Sequence, residues 1–198
     1  MRASILKTAV VATLALLTLA GCEARKDPLP VIGTVPDFKL IDEHGKPITA
    51  ADLRGKVWVA DFIFTQCAGP CPRMTKRMGE LQNFVSSAPN VTMVSFSVDP
   101  NRDTPAILTA YGKQYGARPG RWRFVTGDEK AIRELAVKGF KLTVESATDT
   151  TPIMHSTYFM LVDPAGRIRG AFNGDDAEAF ARLKDALQQL LAEKDSGA

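Results

Sequence analysis

The sequence predicts an α/β domain with helices packed on a central sheet. Residues 57–64 (VWVADFIF) and 91–98 (VTMVSFSV) are near-continuous apolar runs, the pattern of strands buried on both faces. Segments with apolar residues at helical spacing lie between and after them, and that alternation belongs to a layered α/β architecture.

The elements follow in order. In DFKLIDEHGKPIT, Phe38 and Leu40 alternate with polar residues and His44-Gly45 supplies a turn, which predicts an added N-terminal β-hairpin. The first buried strand comes next, entered through Leu53-Arg54-Gly55-Lys56. Met74, Met78, Leu81 and Val85 recur at helical spacing, so 72–86 reads as an amphipathic helix with Pro72 in its first turn. After the second buried strand, Thr104-Pro105 offers an N-cap followed by a first helical residue, opening a helix to about Tyr115. Residues 122–125 form a short strand, and Thr126-Gly127-Asp128-Glu129 has capping-box spacing before a helix ending near Lys138. STYFMLV and RIRGAF flank the turn sequence Asp163-Pro164-Ala165-Gly166, a second hairpin. The closing helix, 176–193, places Phe180, Leu183, Leu187, Leu190 and Leu191 on one face.

Ahead of this domain, a basic start with Arg2 and Lys7 precedes fourteen largely apolar residues, 8–21. That run is shorter than the about 20 residues a membrane span needs, and it reads as a secretory signal peptide. Leu19-Ala20-Gly21-Cys22 resembles the lipobox of bacterial lipoproteins, in which the cysteine becomes the lipidated first residue of the mature chain. An ordinary signal peptide with a coincidental cysteine is the plainer alternative. The organisation expected is a signal peptide over 1–21, a lipidated N-terminus and tether over 22–36, one domain over 37–194 and a tail over 195–198. Pro28, Pro30, Gly33 and Pro36 suit a tether. The net charge of +3 includes Arg2 and Lys7 of the signal, so the remainder is nearly neutral and carries no electrostatic footprint for nucleic acid.

With Cys22 assigned to lipid, two thiols remain, Cys67 and Cys71 in FTQCAGPCP. Cys67 follows a buried strand and Cys71 opens a helix. If the turn is helical, residues four apart share a face with Cα atoms about 6 Å apart, near the long end of the disulfide range. The helix N-terminus is expected to lower a thiol pKa, which serves redox attack and metal binding alike. A purely structural bridge is the weakest reading, because so small a loop gains little chain entropy. Two histidines are available. His44 sits in a polar turn and reads as a solvated loop residue, whereas His155 immediately precedes a strand and suits either a structural role or a ligand. Two thiolates with one imidazole suit Cu(I) and can serve Cu(II); zinc would normally take a fourth ligand or a water.

Four stretches, taken together, resemble a known family: GKVWVADFIFTQCAGPCPRMT, SFSVDPNRDTPAILTAYGKQYG, WRFVTG and MHSTYFMLVDPAGRIRG, in that order. The chain is similar to the SCO/SenC proteins, membrane-anchored copper chaperones of cytochrome c oxidase assembly with a thioredoxin-like fold. The resemblance runs from about Gly33 to Leu191. It implies a thioredoxin-like central sheet flanked by helices, copper ligands at Cys67, Cys71 and His155, and copper as Cu(I) and Cu(II). It implies a partner, the copper-A site of oxidase subunit II or another copper protein, which is loaded with copper or has its cysteines reduced. The protein would face the periplasm or outer surface of a bacterial membrane through its lipid anchor. Ala68 departs from the pattern, since many members have proline after the first cysteine.

Other residues bear on the site. Met74 and Met78 are soft thioethers whose spacing fits core packing, and Met154 neighbours His155. Asp99 and Asp103 fit either turn capping or orientation of a loop near the site, and Asp61 is a carboxylate inside a buried strand that needs a partner or serves the site from behind. The rival function is a thiol–disulfide oxidoreductase or peroxidase of the same superfamily. Such reductases typically carry cysteines one residue closer together, and His155 has no necessary role in them.

Overall fold

The computed structural model describes residues 27–145 and 154–195. The expected signal peptide, Cys22 and residues 196–198 lie outside the described residues. In chain order the elements are β1 (Gly33–Thr34), β2 (Lys39–Asp42), β3 (Pro47–Thr49), a 3-10 turn (Ala50–Leu53), β4 (Val57–Ile63), α1 (Cys71–Phe84), β5 (Val91–Ser97), α2 (Pro105–Gln114) and β6 (Trp122–Thr126). Next come α3 (Glu129–Glu134), continued by a π-helical turn (Leu135–Gly139), then β7 (Val144–Glu145), β8 (Met154–His155), β9 (Tyr158–Val162), β10 (Arg167–Asn173) and α4 (Ala177–Asp195).

Eight strands form one sheet in the order β1-β10-β9-β4-β5-β6-β2-β3, and β7 and β8 make a separate two-stranded ribbon. Strands β4, β5 and β6 run parallel, and β9 joins β4 antiparallel. Successive side chains of a strand point to opposite faces, so β4 feeds two cores. Val57, Val59 and Ile63 pack with Met74, Met78, Leu108 and Leu183 from α1, α2 and α4. Trp58, Ala60 and Phe62 pack with Ile132, Phe140 and Met160 on the face covered by α3 and its π-helical turn. Both faces are covered, which is why the two central strands read as continuous apolar runs.

The turns and caps follow from short polar side chains. Asp42 accepts from the His44 and Lys46 N–H groups at 2.9 and 2.8 Å and so sets the β2–β3 turn. Asp163 does the same between β9 and β10, accepting from Ala165 and Arg167 N–H, both at 2.9 Å. Thr104 caps α2, with Pro105 first in the helix, as the sequence predicts. The expected cap of α3 is corrected: Asp128, not Thr126, accepts from the Ala131 N–H at 2.8 Å. Thr126 is paired with Ile41 as the last residue of β6, so its backbone is committed to the sheet.

The segment read as a tether enters the fold earlier than its prolines suggest. Ile32 and Val35 N–H donate to Ile168 and Gly166 carbonyls, both at 2.9 Å, and β1 adds to the sheet edge against β10. An edge strand tolerates flanking prolines because one side of its backbone needs no ladder bonds. No helix among the described residues is long and apolar enough to cross a membrane.

Candidate metal centre

The two cysteines sit where the parallel sheet hands over to a helix. Cys67 lies in the loop after β4, turned back by its N–H donating to the Phe64 carbonyl at 3.2 Å, and Cys71 is the first residue of α1. Pro70 and Pro72 bracket Cys71 and fix the backbone where the helix begins. Both residues carry thiols; Cys67 is half-buried and Cys71 fully buried. The expected lowering of thiol pKa at a helix N-terminus is overturned for Cys71. Burial pushes its thiol well up, outweighing a hydrogen bond from the Phe64 backbone, and the neighbouring Cys67 and Asp61 add to the rise.

A buried aspartate holds the Cys67 loop. Asp103, fully buried, accepts from the Thr65 N–H at 3.0 Å, the Thr65 hydroxyl at 2.5 Å and the Ser97 hydroxyl at 2.6 Å. One carboxylate therefore ties the chain two residues before Cys67 to the end of β5. Asp99 plays the other role weighed for these two residues: its carbonyl accepts from Arg102 and Asp103 N–H, and its carboxylate pairs with Arg102 at 3.1 Å. Thr65 and Ser97 were not singled out from the sequence, because each is a small hydroxyl residue whose value depends on the carboxylate it meets.

Asp61 lies in β4 on the same face as Val59 and Ile63, beneath α1. It is fully buried and makes no ion pair among the described residues; the Ser95 side chain is the polar group that faces it. Its cross-strand neighbour is Ser95, whose hydroxyl oxygen accepts from the Trp122 ring N–H at 2.9 Å. Burial pushes the Asp61 pKa up to about 7, only partly opposed by Ser95. Among the described residues no cation offsets that burial, so the neutral carboxyl is favoured more than it is in water.

His155 is in β8, paired with Val144 of β7; its side chain, like that of Met154, lies outside the described part. The backbone path is nevertheless defined. Strand β9 pairs with β4 from Trp58↔Val162 to Ala60↔Met160, so the chain before Tyr158 runs past the end of β4 that leads to Cys67. The Thr157 carbonyl accepts from the Gly174 N–H at 2.6 Å, and a Cβ at Gly174 would lie 2.7 Å from that carbonyl and 3.1 Å from Met74 Cγ. Two residues after His155, the chain is thus packed against the first turn of α1. His44 is exposed in the β2–β3 turn beside Glu43, and that turn lies toward the end where β6 begins, away from the cysteines. Met74 and Met78 are fully buried core residues.

A parallel β-sheet that delivers a dithiol at a strand-to-helix junction, closed by an antiparallel hairpin, defines a thioredoxin-like thiol domain. The SCO1/SenC family model matches residues 28–191, and the chain belongs to that family. Among solved structures it is similar to a SCO1/SenC family lipoprotein of Bacillus anthracis, with 31% identity, a TM-score of 0.76, and 82% of this chain and 97% of that one covered. It is similar to BsSco, a member of the Sco family of cytochrome c oxidase assembly proteins in which a disulfide switch was identified, at 32% identity and TM-score 0.71 over 82% of this chain and 98% of that one. A copper-bound ScoI of Bradyrhizobium japonicum is 26% identical with a TM-score of 0.64, covering 77% of this chain and 99% of that one.

Proposed function

We propose that this chain is a lipid-anchored copper chaperone whose cargo is held by Cys67, Cys71 and His155, with Cys22 carrying the lipid. In this reading 1–21 is the signal peptide, 22–36 the lipidated N-terminus and its connection, and 37–194 the copper-binding domain. The observation that carries the reading is a soft dithiol split between a clamped loop and a helix start, at the sheet end toward which the chain from β8 leads. Two thiols select a soft cation, and an imidazole completes a set suited to copper in both oxidation states. The copper-bound ScoI and the SCO1/SenC lipoprotein support the cargo and the anchor respectively.

The chemistry follows from the two thiols. Copper binds as the thiols lose protons, so loading is opposed by acid, and more so for the buried Cys71. Oxidation to a disulfide withdraws both thiolates, which couples loading to redox state. The partially exposed Cys67 is the thiolate a partner reaches first. The recipient is the copper-A site of oxidase subunit II, either supplied with copper or reduced at its cysteines. Anaerobic copper titration of the reduced protein tests the assignment. One copper per chain is expected, with binding lost in Cys67→Ser and Cys71→Ser and the charge-transfer spectrum altered in His155→Ala. An unchanged spectrum and stoichiometry in His155→Ala sinks the three-ligand site.

The rival, a thiol–disulfide oxidoreductase, is favoured by one observation, the disulfide switch of the similar BsSco. Rapid turnover of a disulfide substrate by protein that retains no copper would decide for it.

A further inference from the structure

The end of the sheet opposite the cysteines carries cations without carboxylate partners. Arg54 and Lys56 precede β4, and Arg118 and Arg121 precede β6. Among the described residues, none of the four makes an ion pair. Arg54 donates to the Ala165 carbonyl, Arg118 to the Asn83 side chain, and Arg121 to the Ala88 and Val85 carbonyls, all neutral groups. These loops form one surface: Gly55 N–H donates to Pro164 O at 2.9 Å and Val57 N–H to Asn90 O at 3.0 Å. The acids at this end have partners of their own. Asp42 and Glu43 are paired with Arg123, Asp52 is turned to Thr49, and Asp163 and Glu193 are engaged by Arg167 and Arg169. Flanking the cysteines, Arg73 and Arg102 are matched by Asp175 and Asp99, while Arg77 donates to the Gly174 and Asp176 carbonyls.

The N-terminal segment is strapped to that same end. Arg169, 5% exposed, donates to the Leu29 carbonyl from Nη2 at 2.6 Å and Nε at 3.1 Å, and also bonds Asp163 and Glu193. Leu29 N–H donates to Glu193 at 3.0 Å, and Gln189 Nε2 donates to the Asp27 carbonyl at 2.6 Å. Gln189 lies about 18 Å along α4 from Ala177, the helix start beside the cysteine end. Five residues from Cys22 to Asp27 reach at most about 17 Å. An anchor at Cys22 is therefore leashed to the basic half of the molecule.

We infer that this basic end is a docking surface for an anionic phospholipid bilayer, holding the domain upright with its cysteines directed away from the membrane. The inference rests on the proposed lipidation of Cys22 for its leash and on the unpaired cations for its chemistry. Near an anionic leaflet each cation strengthens association about fivefold, and salt screens it.

The test is amide hydrogen exchange of the full lipidated protein on phosphatidylcholine vesicles and on vesicles rich in phosphatidylglycerol. Slower exchange of loops 54–56, 88–90 and 118–121 on the anionic vesicles is expected, with loop 64–70 unchanged and the effect reversed by high salt. Arg54→Gln/Lys56→Gln/Arg118→Gln should abolish the slowing, whereas Lys76→Gln/Lys130→Gln/Lys138→Gln should retain it. Equal exchange on both vesicles, or equal loss in the two triple variants, overturns the inference. Flotation keeps the anchor separate: failure to float on neutral vesicles refutes lipidation, and salt-reversible flotation on anionic vesicles alone still supports the basic surface.

Discussion

Asp61, Cys71 and Asp103 are three buried ionisable side chains around one junction, and each is handled differently. Asp103 is satisfied by three donors, so removing it leaves the buried Ser97 hydroxyl and the half-buried Thr65 without their acceptor. Asp103→Ala should cost about 3 kcal/mol in denaturant unfolding and weaken copper binding without changing its stoichiometry, because the Cys67 loop loses its clamp. Asp61 has no cationic partner among the described residues, and burial lifts its pKa to about 7, above the value of about 3.9 for a free aspartate. The folded protein then holds a proton that the unfolded chain releases, so stability is greatest below pH 4 on this account and falls as pH rises toward 7. The loss is bounded at about 4 kcal/mol for a shift of this size. Unfolding of the reduced apoprotein between pH 4 and 8 should show that slope, and Asp61→Asn should flatten it. For the thiols, exposure decides the order of attack. Alkylation followed by mass spectrometry should modify Cys67 first, with Cys71 protected until the domain unfolds.

At the scale of elements, the cysteine end depends on close approach between the chain before β9 and the first turn of α1. Gly174 sits between them, with the Thr157 carbonyl and Met74 too near for a Cβ. Gly174→Ala should push these elements apart, destabilising the fold by about 1–3 kcal/mol and loosening copper, read by thermal unfolding and by competition with a copper chelator. Most elements were legible in the sequence because their signals are local: apolar continuity for β4 and β5, a threonine–proline start for α2, aspartate turns for both hairpins. The α3 cap and β1 were not. Thr126 looks like a cap until its backbone is seen to be used by the sheet, and Gly33–Thr34 looks like linker until β10 is there to receive it.

Over the whole molecule, function is organised by the polarity of a sheet whose parallel strands all end at the cysteines. The sequence by itself determined the layered α/β class, the dithiol and its softness as a donor set, and, through four ordered stretches, the family to which the chain belongs. These are carried by residue type and spacing, which are local quantities. Only the tertiary structure decided that Cys71 is buried and hard to ionise, that burial lifts the Asp61 carboxyl, that Asp103 clamps the loop, and that four cations with no ion pair among the described residues share the far end with the N-terminal strap. Desolvation and charge pairing depend on what packs around a group from distant parts of the chain, and no spacing in the sequence records that.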